Sequence, residues 1–146
     1  MVVLNLILAL MLSYTNPTPP KESAQAECDA KAYKDKCIKG LPDGFTFLKS
    51  YTIDGKAGQR KKVEYSYIFS KNTNYLVLMA NSNPQTKGIV VTLYDSNRKQ
   101  LATSLTKGKY YPALAYKCNA TGIYFISFTF EGADNYCAGS VLGFKR

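Results

Sequence analysis

Four cysteines, Cys28, Cys37, Cys118 and Cys137, are the residues of this 146-residue chain best suited to bonding beyond the backbone. Thiols serve as metal ligands, nucleophiles or disulfide partners. Structural zinc sites draw ligands in close pairs, roughly two to four residues apart. Here the separations are nine, eighty-one and nineteen positions, and the chain contains no histidine. The missing histidine also removes Cys-His and Ser-His-Asp chemistry. An even number of cysteines in a small chain with a signal-like start reads as a disulfide framework.

The carboxylates offer little more. A glycosidase needs two of them flanking a cleft, yet Asp43, Asp54, Asp95, Glu131 and Asp134 fall in expected turns. Glu64 lies inside an expected strand, on the solvent side of its alternation. Glu131 and Asp134, with backbone carbonyls, could supply oxygen ligands to calcium; the plainer reading is a turn. Phosphate-binding glycine patterns are absent. The expectation is a protein that is not an enzyme and holds no cofactor, calcium being the one alternative.

What remains is charge. The chain has 19 Lys and Arg against 10 Asp and Glu, a net charge of +9. The basic residues group at Arg60-Lys61-Lys62, at Arg98-Lys99, at Lys107 with Lys109, and at Lys117. Tyrosines stand near several, among them Tyr65, Tyr94, Tyr110 and Tyr111. Basic residues interleaved with aromatics can bind nucleic acid, but an exported protein meets anionic envelope polymers or acidic glycans instead. The competing reading gives these lysines to solubility and to the guarding of strand edges. The candidate binding residues are thus Arg60, Lys61, Lys62, Arg98, Lys99, Lys107, Lys109, Tyr110 and Tyr111.

These residues need elements to position them. Met1 to Leu12 is apolar apart from Asn5, too short for a spanning helix of roughly 20 residues, and fits the core of a secretory signal. A Pro-rich stretch follows, and Ala24-Gln25-Ala26 has the small-x-small form that signal peptidases cut. The expected division is a signal and spacer over 1–26 and one domain over 27–146, with no transmembrane span after cleavage and a secreted or periplasmic location. A retained amino-terminal anchor is the alternative. Cleavage after Ala26 removes one Lys and one Glu and leaves the charge at +9.

Glu27 to Lys39 predicts a short helix, rich in Ala and Lys and ended by Gly40 with Pro42 beyond. Ala30, Tyr33, Cys37 and Leu41 form a narrow apolar stripe, so this helix should lie on something larger. From Phe45 the period is two. Phe45, Phe47, Tyr51 and Ile53 share one face, with Lys49 out of step. Val63, Tyr65, Tyr67 and Phe69 share another. Tyr75 to Ala80 is a continuous apolar run that predicts a central strand. Ile89 to Tyr94, Gln100 to Ser104, Tyr111 to Lys117, Tyr124 to Phe130 and Ser140 to Phe144 follow, separated by turn clusters. Seven or eight such strands predict an all-β, antiparallel sandwich with one short N-terminal helix, a closed barrel being the alternative.

Two stretches resemble a known family. Val91 to Ala102, carrying Tyr94-Asp95-Ser96-Asn97, is similar to the strand, tyrosine-aspartate-x-asparagine turn and second strand of bacterial pre-peptidase C-terminal domains. Arg98 stands where that family usually has Gly. Ala120 to Thr129, with Gly122, Tyr124 and Ile126, is similar to its late glycine-x-tyrosine strand. The resemblance spans about Val63 to Phe130 and leaves out the cysteines and the helix. It implies a jelly-roll-like sandwich acting as an accessory module of secreted proteins, one that binds surfaces or substrates without an active site. It also implies a bacterial source, in which the sequon Asn119-Ala120-Thr121 stays unmodified.

Two functions follow as expectations. One is a non-catalytic binding or scaffold module for an anionic glycan or envelope polymer. The other is a secreted inhibitor or effector that docks a protein partner through its basic face.

The helix also bears on cysteine pairing. Nine positions along a helix separate two Cα atoms by roughly 13 Å, and a disulfide needs them within about 7 Å. An unbroken helix over 27–39 therefore forbids Cys28–Cys37 and predicts that each of the two bonds to the body, one to Cys118 and the other to Cys137. A break near Lys34 would restore pairing between sequence neighbours.

Overall fold

The computed structural model describes residues 17–18 and 27–146. Except for Pro17 and Thr18, the expected signal and spacer over 1–26 lie outside the described residues. No helix among the described residues is long and apolar enough to cross a membrane.

One helix, α1 (Lys31–Lys39), precedes ten strands: β1 (Thr46–Asp54), β2 (Lys62–Phe69), β3 (Asn74–Ala80), β4 (Ile89–Tyr94), β5 (Gln100–Thr103), β6 (Leu105–Thr106), β7 (Lys109–Tyr110), β8 (Ala113–Lys117), β9 (Gly122–Phe130) and β10 (Cys137–Lys145). Eight of them build two four-stranded sheets, β1-β10-β3-β8 and β2-β9-β4-β5, and β6 pairs with β7 as a separate ribbon. All pairings are antiparallel. Within the two sheets the chain changes sheet at every connection except the β4–β5 hairpin, which is the jelly-roll path.

The expected seven or eight strands are thus the sandwich, and the ribbon is the addition. Strands of two residues are too short to show alternation. The ribbon turns at Lys107 and Gly108, both at positive φ (51° and 74°), the paired left-handed geometry of a tight hairpin.

The β1 alternation also needs correcting. A bulge between Phe47 and Lys49 makes Leu48 the extra residue and reverses the parity of the strand. Leu48 packs on the core beside Tyr51 and Ile53, and Phe47 is exposed. Lys49, out of step in the sequence, marks this irregularity.

The core between the sheets is filled by alternate residues. Tyr75, Val77 and Met79 of β3 meet Ile89, Val91 and Leu93 of β4 and Tyr124, Ile126 and Phe128 of β9. Phe69 stacks on Tyr75 at 3.8 Å and on Tyr124 at 4.8 Å between ring centroids. The Tyr75 hydroxyl reaches out of this stack to accept from the Ser70 N–H at 2.8 Å. The apolar run 75–80 is buried because both faces of β3 are covered. Its other face, Leu78 and Ala80, joins Val141 of β10 beneath Cys37, Tyr33 and Leu41.

Helix α1 can lie that close because of two glycines on β10. A Cβ at Gly139 would stand 2.6 Å from the Lys34 backbone nitrogen, and one at Gly143 would stand 2.8 Å from Leu41 Cδ2. The predicted stripe is intact, but the helix is shorter than expected: residues 27–30 are not helical. The Asp29 carboxylate accepts from the Lys31 N–H at 3.1 Å, a local bond that competes with helical geometry at that point.

That correction decides the disulfide. Cys28, free of the helix, bonds to Cys137 at the start of β10, with Cα atoms 5.4 Å apart. The second expected bridge is absent, and Cys37 and Cys118 are free and buried. Cys37 lies under α1 on the outside of the β1-β10-β3-β8 sheet, and Cys118 lies in the core on its inside. The sheet itself keeps the two thiols apart.

Candidate binding surface

The outer face of β2-β9-β4-β5 carries no helix, and its side chains can be followed along the register. Lys62 sits opposite Thr129, Glu64 opposite Ser127, Ser66 opposite Phe125, and Ile68 opposite Ile123. On the far side of β9, Thr92 faces Ser127 and Tyr94 faces Phe125. The β2 members Lys62, Glu64 and Ser66 are polar because this face meets water. Ile68 and Ile123 break the rule, at 64% and 50% exposure, and stand side by side at one end.

Arg98 governs the middle of this face. It occupies the β4–β5 turn at φ 63°, a left-handed conformation that costs a non-glycine residue roughly 1–2 kcal/mol. Asp95 builds the turn, its Oδ1 accepting from the N–H groups of Asn97 and Lys99, each at 2.9 Å. The Arg98 guanidinium then lies 3.8 Å over the Phe125 ring and donates to Glu64 Oε1 at 2.7 Å. The stacking and the charged hydrogen bond compensate the backbone conformation. The Lys62 ammonium is 3.6 Å from the other oxygen of Glu64.

The structure therefore joins two of the predicted clusters at one carboxylate. Arg60 and Lys61 precede Lys62 at the same strand end, and Arg60 Nη1 donates to the Asp54 carbonyl at 3.4 Å. Lys107, Lys109, Tyr110 and Tyr111 belong to or border the ribbon. The Tyr110 hydroxyl donates to the Glu131 carbonyl at 3.3 Å, tying the ribbon beyond the β9 end that pairs with Lys62. Lys109 lies 5.1 Å over the exposed Tyr111 ring. Lys99 is exposed at the opposite end, in the β4–β5 turn.

Other chemistry is held down by its surroundings. Burial pushes the Cys37 thiol up to about 11, against a small opposing pull from Lys36, so the nucleophilic thiolate is suppressed at neutral pH. The Asp35 carboxyl is held below its ordinary value by the Lys31 hydrogen bond, and Asp54 by the hydrogen bonds from Lys56. Of the calcium pair, Asp134 lines the hollow beside the disulfide with Glu27 and Asp54, and Glu131 does not join it. Among the described residues no group of three or more potential metal ligands converges.

The sequence reading missed Phe125, Ile68 and Ile123. The signal for the last two was present: each is apolar at a position its own strand assigns to solvent. It also missed that the Tyr94–Asn97 turn and the segment from Asn119 to Tyr124 flank one hollow of about 220 Å³.

No protein-family model matches the chain, and no curated protein sequence is significantly similar to it.

Proposed function

We propose that this protein is an exported, non-catalytic binding module that docks an anionic glycan or envelope polymer along the open face of β2-β9-β4-β5 and its basic rim. The observation that carries the reading is how the charges are arranged. Asp35, Asp54 and Glu64 are already paired with lysine or arginine. Lys61, Lys99 and Lys107 stand exposed around a face that no helix covers and on which Lys62, Ser66 and Ile68 of β2 are exposed. The disulfide fits an oxidising compartment, and the resemblance to accessory domains of secreted proteins points to the same class of work.

The test is titration with a sulfated polysaccharide at several salt concentrations. Affinity should fall steeply with salt as counterions are released. Changing Arg60, Lys61 and Lys62 together to Glu should weaken it by about an order of magnitude or more. Binding that ignores both salt and the charge reversal overturns the proposal.

One observation favours a protein partner, docked through an isoleucine pair rather than through the basic face. Two isoleucines exposed side by side and rimmed by polar groups have the composition of a small interface centre. Capture of a protein that is lost on Ile68→Ser and kept on charge reversal would move the assignment there.

A further inference from the structure

The hollow between the β4–β5 turn and the β8–β9 turn is chemically unlike the basic rim. Asp95, Ser96 and Asn97 line one side, Asn119 and Thr121 the other, and Tyr116 with Tyr124 the aromatic part. No Lys or Arg lines it. We infer that this hollow is a second, separate site, which takes one neutral, hydroxyl-rich ring of the kind found in a sugar residue.

Hydrogen-bonding capacity is the first ground. Asp95 Oδ1 is taken by two backbone N–H groups, and Oδ2 has no partner. Thr121 Oγ1 accepts from the Lys71 N–H at 2.9 Å and keeps its own proton to donate. The side chains of Ser96, Asn97 and Asn119 have no hydrogen-bond partner among the described residues, and the hydroxyl of Tyr116 turns to that of Tyr124. A carboxylate, two carboxamides and the hydroxyls of Ser96 and Thr121 offer interleaved donors and acceptors, the complement of a ring of hydroxyl groups.

Rigidity is the second. The Asp95 bonds fix one turn. The other is held by the Tyr124 hydroxyl donating to the Ala120 carbonyl at 2.6 Å and by the Cys118 thiol on the same carbonyl at 3.1 Å. A site fixed before binding spends little on ordering itself.

Shape and charge narrow the class. Tyr116, half-buried and tilted against the buried Tyr124 at 5.9 Å, leaves apolar ring surface against which the C–H face of a sugar can rest. The volume of about 220 Å³ lies below the roughly 300–1,000 Å³ of sites for drug-sized ligands, so it suits one ring. The Asp95 carboxylate disfavours an anion, which sets this ligand apart from the polymer of the basic rim.

The experiment titrates the isotope-labelled protein with glucose, galactose, mannose, rhamnose and N-acetylglucosamine, each into the tens of millimolar, and follows the amide NMR spectrum. At least one sugar should give saturable shifts centred on Asn97, Asn119, Thr121 and Gly122. They should be indifferent to added salt and lost in the Asn97→Ala, Asn119→Ala double variant, whose exposed turn positions leave the core untouched. No saturable shift with any of the five sugars overturns the inference, as do shifts that map elsewhere or survive the double substitution. Sulfated-polysaccharide binding, measured on the same double variant, is expected to be unchanged. The two proposals therefore fail separately.

Discussion

The outer faces of the two sheets have opposite fates. On β1-β10-β3-β8, the outward positions of β3 and β10 beneath α1 and Leu41 include Leu78, Ala80, Gly139, Val141 and Gly143, each small or apolar because that segment lies on them. On β2-β9-β4-β5, the outward positions of β2 are Lys62, Glu64, Ser66 and Ile68, and solvent lies on them. Both strands alternate with period two. The difference is in what fills the outward half of the alternation, and that half tells which face of a sandwich is finished and which is left for something else. On the finished face an apolar residue is ordinary; on the other, where Val90 is buried and Phe125 lies under Arg98, Ile68 and Ile123 are the exposed exceptions to account for.

Removing the disulfide should break this comparison most severely, because Cys28–Cys137 anchors the segment that leads into α1. The bridge spans 109 positions, and closing a loop of that length restricts the unfolded chain by about 4–5 kcal/mol. Cys28→Ser with Cys137→Ser should lower the unfolding free energy by that order, read from urea midpoints. A loss below about 1 kcal/mol would mean that α1 holds the covered face alone.

The buried thiol under α1 sharpens it at alkaline pH. The Cys37 value rises from 9.0 in the unfolded chain to about 11 in the fold, so the folded state favours the protonated thiol. Its stabilisation is fully present below pH 9 and is lost as pH rises through 11, on the order of 2–3 kcal/mol. Burial likewise pushes Tyr51 from 10.0 up to about 12, which adds to the loss above pH 10. Urea midpoints followed through this range should fall, and Cys37→Ala should flatten the part of the fall that begins near pH 9. An unchanged profile in that variant would show that water reaches the thiol.

The smallest effect belongs to the open face. Ile68→Ser with Ile123→Ser should change stability by no more than about 0.5 kcal/mol, as exposed substitutions do. Thermal melts of the pair against the parent check this. A loss of about 2 kcal/mol would erase the distinction between the two faces.

Much of this architecture is written along the chain. The strands β2, β4 and β9 follow from alternation, β3 from its continuous apolar run, and α1 from its four-residue stripe. Each is a pattern within one segment, set by a local period. What escaped depends on pairs of segments. The bulge at Leu48 exists because β1 must match β10. The ribbon strands carry too few residues to show a period. The disulfide was half legible: a distance argument sent Cys28 to the body, but only the sheet between Cys37 and Cys118 explains why the other two thiols stay free. At the candidate surface, the basic clusters could be named in the sequence, but not the meeting of Lys62 and Arg98 at Glu64. That meeting crosses 34 positions between Glu64 and Arg98 and needs Phe125 on a third strand as its floor.

The Cys28–Cys137 bridge also sets how the domain would bear a load. Tension entering at residue 27 and leaving at residue 146 passes through the sulfur atoms into β10 and bypasses α1 and the first nine strands. β10 is an inner strand, hydrogen-bonded on both sides by β1 and β3. With the load entering at one end of β10 and leaving at the other, the strand carries it along its own backbone, and the ladders to β1 and β3 are not sheared. Only the residues beyond Cys137 can straighten, and as a strand they are already near full extension, so the gain is only about 2 Å. The same pull on the reduced protein would run out to about 400 Å. The bridge thus makes the domain a short, stiff link, with every strand but β10 out of the line of force.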